Sequence, residues 1–191
     1  MKKIKLAFYR NSKSIFGKVI RFQQKNFDGL DNRYALYSHV EIVFESFSAT
    51  KIGFSGLDIL SAIEHGISFS SSEQDGGTRF KVIKWKKSHW DFFDISVTDK
   101  QYTDILNFCI SQNNKKYNWL GIIFSQGLKS KWFVREMPHG YCKDWYCSQI
   151  VTRAIQAGKM LAGVSSLFTN PGKLKMELDF YFNKQEYKKI K

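Results

Sequence analysis

The chain switches between a two-residue and a helical period of apolar positions, and each switch marks an element. The opening Met1-Lys2-Lys3-Ile4-Lys5-Leu6-Ala7-Phe8-Tyr9-Arg10 is a short apolar core broken by charge and predicts a first strand. Ile15, Phe16, Val19 and Ile20 then take up the helical period, predicting a short amphipathic helix over Ser14–Phe22. Residues 26–33 are turn-rich, with Asp28-Gly29 and Asp31-Asn32. The β-branched run Tyr37–Phe44 predicts a strand. Successive side chains point to opposite faces of a strand, so Val40, Ile42 and Phe44 share one face and His39 and Glu41 the other. The second face is either an ordinary exposed one or the seat of something polar.

Residues 56–64 read as a short helix or an inserted loop. Ile67–Ser72 alternates, Glu73-Gln74-Asp75-Gly76-Gly77 is a turn, and Thr78–Trp85 alternates again, so these form a hairpin. Trp90–Val97 is a further strand. Thr98 and Gln101 have capping-box spacing, and Tyr102, Ile105, Leu106, Cys109 and Ile110 follow on one helix face. That places Cys109 in the core. Tyr117–Phe124 is apolar and predicts a second helix, and residues 129–141 are loop-like. Ile150, Val151, Ala154 and Ile155 lie three, four, seven and eight residues after Cys147, so a helix runs from there to about Leu161. Asn170-Pro171-Gly172 reads as a break, and Met176–Phe182 as a last strand or short helix before a fraying basic tail. Strands and helices in this order make an α+β layout.

Composition narrows the picture further. A chain of 191 residues with 43% apolar and 16% aromatic content suits one domain, taken as 1–185 with a tail at 186–191. The net charge of +13 implies attraction to an anionic partner. The lysines are spread along the chain and no nucleic-acid-binding motif accompanies them, which argues for a solvated basic surface rather than a nucleic-acid protein. No apolar run reaches transmembrane length, and the N-terminus lacks a signal-type apolar region and cleavage site. The expected location is therefore the cytoplasm. Cys109, Cys142 and Cys147 are an odd number of cysteines and, even with His139, show no metal-binding pattern. No metal or cofactor is expected, and free thiols in a reducing compartment fit best.

The candidate chemistry gathers at Asp144-Trp145-Tyr146-Cys147-Ser148-Gln149. In the first turn of a helix, Cys147 meets the positive end of the helix dipole, which favours a thiolate. Trp145 and Tyr146 stand ready to wall a cleft. The competing reading is that all three pack in the core, as cysteine and aromatics commonly do. A histidine on one strand and a cysteine at a helix start are the two halves of a thiol hydrolase.

Four stretches carry a family resemblance: Tyr37-Ser38-His39-Val40-Glu41; Phe69-Ser70-Ser71-Ser72 with Asp75-Gly76-Gly77-Thr78-Arg79-Phe80-Lys81; Lys116-Tyr117-Asn118-Trp119-Leu120-Gly121; and Trp145-Tyr146-Cys147-Ser148-Gln149-Ile150-Val151. Together with a stretch near Pro171 they span roughly residues 5–180. In kind and order they resemble the circularly permuted NlpC/p60 branch of papain-like cysteine hydrolases, especially its small phage and prophage members. The resemblance implies a permuted papain-like fold, with an antiparallel sheet packed against helices and the cysteine at a helix N-terminus. It implies cleavage of an amide or ester bond, commonly in cell-wall peptide, by Cys147 as nucleophile and His39 as base. Its third catalytic position maps to Ser70. Glu41 shares the face of His39 and is the alternative. Trp119 and Trp145 are candidate cleft walls. Asp75 and Arg79, with Lys81, form either a clamp for a substrate carboxylate or ordinary hairpin charges. Asn118 and Gln149 depart from the family's usual Asp and Glu. The rival class is a phage-associated structural or binding protein on a degenerate hydrolase fold, packaged in a particle or left in the host cell.

Overall fold

The computed structural model describes residues 1–45, 49–53, 57–118 and 144–189. The strands are β1 (Lys2–Arg10), β2 (Tyr37–Phe44), β3 (Ile67–Ser72), β4 (Gly77–Lys81), β5 (Trp90–Val97) and the two-residue β6 (Lys116–Tyr117) and β7 (Asp144–Trp145). The helices are α1 (Ile15–Asn26), α2 (Asn32–Ala35), α3 (Ala49–Ile52), α4 (Leu57–His65), α5 (Asp99–Ser111), α6 (Cys147–Ala157) and α7 (Pro171–Lys189), with a 3-10 turn at Ser166–Phe168. The strands form one sheet in the order β5-β1-β2-β3-β4-β6-β7, antiparallel except for the β6–β7 pair. This is an α+β fold. No helix among the described residues is long and apolar enough to cross a membrane.

The pleat sorts the side chains. Leu6 pairs with Ile42 and Phe8 with Val40, while Ile42 also pairs with Phe69. These residues form one apolar face, joined in the core by Tyr102, Ile105 and Leu106 of α5, Ile150, Val151 and Ala154 of α6, and Leu174 and Leu178 of α7. The opposite side-chain set of β2 includes His39 and Glu41, whose partners on β1 are Tyr9 and Ala7. Cys109 is buried in the core, and burial pushes its thiol pKa well up. It is a packing residue.

Caps set the helix boundaries. Ser14 Oγ accepts from Gly17 N at 3.0 Å to open α1. Thr98 and Gln101 form the expected reciprocal box at the start of α5. Each such cap satisfies backbone N–H groups that have no partner inside the helix.

Several expectations need correction. The returning strand stops at Lys81 rather than Trp85. Lys81 pairs with Ser68 near the start of β3, so its partner strand runs out. Trp85 instead donates its indole N–H to His65 O at 2.8 Å and packs edge-on against Trp90. Residues 57–65 are helix, one of the two alternatives. Ile110 is exposed rather than buried. Tyr117 belongs to a short strand, and residues 119–124, where the second helix was expected to run on from near Asn118, lie outside the described residues, as do residues 129–141, His139 and Cys142. The cysteine helix ends at Ala157, before Leu161. Asn170-Pro171-Gly172 opens a helix instead of breaking one: Pro171 is its first residue, where a missing N–H costs nothing, and Asn170 Oδ1 accepts from Lys173 N at 2.7 Å. That helix runs through Lys189, so residues 186–189 continue it.

Gly77 begins β4 at φ +156°, where a Cβ would lie 1.9 Å from the Lys115 carbonyl oxygen. The obstacle is backbone and cannot swing aside. Gly77→Ala is expected to lower stability by roughly 3 kcal/mol, the upper end of ordinary substitutions, measured by urea denaturation.

Candidate active site

β2 carries His39 into a cleft of about 340 Å³, whose lining includes Cys147, Glu41, Arg79, Trp90 and Tyr117. The strand is braced at its start by Gln24. This fully buried amide donates to Tyr37 O at 2.6 Å and accepts from Gly172 N at 2.7 Å, tying α1, β2 and α7 together. The cysteine side is braced too. Trp145 O accepts from Ser71 Oγ at 2.6 Å and from Asn118 N at 3.0 Å, which pins the backbone just before α6. Cys147 is then the first residue of that helix, and no side chain caps its N-terminus.

His39 Nε2 lies 2.8 Å from Glu41 Oε1. Its ring is 23% exposed, whereas the Glu41 side chain is only 1% exposed. Burial pulls the His39 pKa down, but the Cys147 charge and hydrogen bond, helped by Glu41, outweigh it and raise the pKa to about 9. The raised pKa favours the protonated ring, and Nε2 is the nitrogen that faces Glu41. Burial pushes Glu41 up, yet hydrogen bonds and charge from His39 and Arg79 hold it down at about 2. Glu41 is thus a carboxylate throughout the ordinary pH range.

Arg79 grips Glu41 with both terminal nitrogens, Nη1 to Oε2 at 2.8 Å and Nη2 to Oε1 at 2.7 Å. Its Nε donates to Asp75 at 2.6 Å, and Lys81 Nζ donates to the same carboxylate at 2.8 Å. The order along the network is Cys147, His39, Glu41, Arg79, Asp75, Lys81. A two-pronged guanidinium–carboxylate pair fixes direction as well as charge. Arg79 is therefore bound to both Asp75 and Glu41 within the protein, and Arg79 and Lys81 also reach the cleft wall.

Other expected site residues lie elsewhere. Ser70 is fully buried and donates to Val40 O at 2.6 Å, so its hydroxyl serves the backbone and Glu41 holds the imidazole. Trp145 is buried beside Phe108 and donates to Gln112 Oε1 at 3.1 Å. Tyr146 is buried near Ile20 and donates its phenol hydrogen to Leu167 O. Both are packing residues rather than cleft walls. Among the described residues the aromatic walls are Tyr9, Trp90 and Tyr117. Trp90 meets the His39 ring edge-on, with centroids 6.4 Å apart. Burial, with the nearby Cys147 charge, pushes the Tyr117 phenol well up, so it keeps its proton as a hydrogen-bond donor. The Tyr9↔His39 register was not legible locally, since strand pairing is a long-range property.

The site brings Cys147 and the His39 imidazole together, with the ring held by a buried carboxylate, on an α+β fold. Compared with known families and curated proteins, the chain matches no family and no curated sequence.

Proposed function

We propose that this protein is a thiol hydrolase that cleaves an amide or ester bond, built on a circularly permuted papain-like fold of the NlpC/p60 type. The observation that carries the reading is the meeting of Cys147, His39 and Glu41 at one cleft, with Glu41 on Nε2 of the imidazole. The order of the histidine strand before the cysteine helix supports the permutation. Triads are defined by geometry and role, not by position in the chain.

In this mechanism the Cys147 thiolate attacks the substrate carbonyl carbon, and the carbonyl electron pair moves to oxygen. The Cys147 backbone N–H, in a helix first turn, can donate to that oxyanion, and Tyr117 lines the same cleft. The oxyanion collapses and expels the amine or alkoxide, which takes the proton from the His39 imidazolium. The neutral imidazole then removes a proton from water, and the hydroxide attacks the thioester. Collapse of the second oxyanion returns Cys147 as a thiolate and His39 as an imidazolium. Glu41 holds the ring and Arg79 holds Glu41.

Cell-wall peptide is the leading substrate class, reached from the host cytoplasm or a phage particle, and it suits a chain of net charge +13. The test is alkylation of Cys147 by iodoacetamide at neutral pH in the parent and in His39→Ala. Fast alkylation that slows at least about tenfold without His39 is expected of an activated thiol. A thiol equally slow in both proteins would exclude the hydrolase. A screen of peptidoglycan peptides then distinguishes amide substrates.

A further inference from the structure

Helix α1 is built the wrong way round for a helix that serves only the core. Of its described apolar side chains only Ile20 turns in. Ile15, Val19 and Phe22 are 77%, 41% and 60% exposed. Their spacing of four and three residues makes a single outward stripe. Phe27 extends it at 53% exposed, its ring edge-on to Phe22 with centroids 6.1 Å apart. The inward positions are polar instead: Gln24 is fully buried and Gln23 nearly so. Gln24 is matched by hydrogen bonds to β2 and α7, so the core requires this orientation. The exposed stripe is what the helix leaves for a partner.

The charge around the stripe says which partner. Between Asn11 and Phe27 the chain carries Lys13, Lys18, Arg21 and Lys25 and no acidic residue. Lys18 and Lys25 are exposed along one side of the stripe. A ridge of Ile, Val and Phe flanked by lysines fits the boundary of an anionic bilayer, where apolar side chains enter the acyl region and lysines meet phosphates. A second copy would set one basic face against another.

We propose that the outer face of α1 docks this protein on an anionic lipid surface. The inner face of the same helix, at Gly17 and Ile20, walls the cleft that holds Cys147 and His39. Docking therefore sets the cleft one helix thickness, about 10 Å, from the lipid. The inference stands on exposure and charge and does not depend on the hydrolase reading.

The experiment is flotation of the full chain with vesicles of phosphatidylcholine alone or mixed with phosphatidylglycerol. Binding to the mixed vesicles only is expected. It should fall at least about tenfold in Phe22→Asp and in the Lys18→Glu/Lys25→Glu double variant, but not in the control Lys100→Glu, an exposed lysine on α5. These positions are exposed, and unchanged thermal melting shows that each variant still folds. Failure of the parent to bind mixed vesicles overturns the proposal. Equal binding by Phe22→Asp does so too, because attraction would then be diffuse charge alone. A parent dimer that Phe22→Asp makes monomeric, without vesicle binding, assigns the face to self-association instead. Cys147→Ala should bind like the parent, so the docking can fail or stand independently of catalysis.

Discussion

Glu41→Leu is expected to lower stability by ~3–5 kcal/mol, the range for removing one partner from a buried ion pair. Glu41 is nearly inaccessible and accepts from both terminal nitrogens of Arg79 and from His39. Leucine would fill some of the space and leave the guanidinium with Asp75 as its remaining charged partner among the described residues. Arg79→Leu strips the same pair from the other side and is expected to cost a similar amount. The Glu41→Leu/Arg79→Leu double variant should lose clearly less than the sum, since neither charge is then stranded. Urea denaturation of the four proteins gives the coupling, and strict additivity would show that the two residues do not act as a unit. The pH dependence has a definite sign. The folded Glu41 pKa of about 2 lies below its ordinary value of 4.5. Its contribution is present above 4.5 and is lost as pH falls through 2. The parent should therefore weaken across that window more steeply than Glu41→Leu.

The particular way this network forms explains which parts of the protein could be read from its residues. The two-residue period of β2 separates His39 and Glu41 from Val40, Ile42 and Phe44, and the helical period after Cys147 places the thiol at a helix start. Both patterns are local. Arg79 reaches Glu41 across an intervening strand, β3, and that neighbourhood is set by sheet order rather than by any pattern within either strand. For the same reason Ser70 and Glu41 were indistinguishable as holders of the imidazole until Ser70 was seen to serve Val40 O. The orientation of α1 was not legible, because Gln24 finds partners on β2 and α7, which offset the burial of an amide in a way apolar counting cannot register. Trp145 and Tyr146 were ambiguous between core and cleft, and their partners Gln112 and Leu167 decided for the core. At Pro171 the chemistry was ambiguous in itself, because proline ends one helix and begins another with equal ease.

On the proposed thiol-hydrolase reading, Cys147→Ala is expected to abolish hydrolysis, by a factor on the order of 10⁵–10⁶ if the triad acts as one unit. The same substitution should change His39 in a way that needs no substrate to observe. Burial acts on His39 to lower its pKa, and the strongest opposing influences are the Cys147 charge and hydrogen bond. Without the thiol, burial works against Glu41 with less opposition, so the imidazole should titrate well below its parent value of about 9. Histidine-labelled NMR follows both transitions directly. The consequence for stability has the opposite sign to that of Glu41. A histidine whose folded pKa exceeds its ordinary 6.5 contributes fully below 6.5 and loses that contribution as pH rises through 9. The His39 contribution should therefore fade across this window in the parent and change over a narrower, more acidic range in Cys147→Ala. A downward shift with loss of activity marks one coupled thiol–imidazole pair. An unchanged titration would mean that the thiol and ring do not sense each other, and the catalytic role of Cys147 would fall with it, whatever the fate of the Glu41–Arg79 pair.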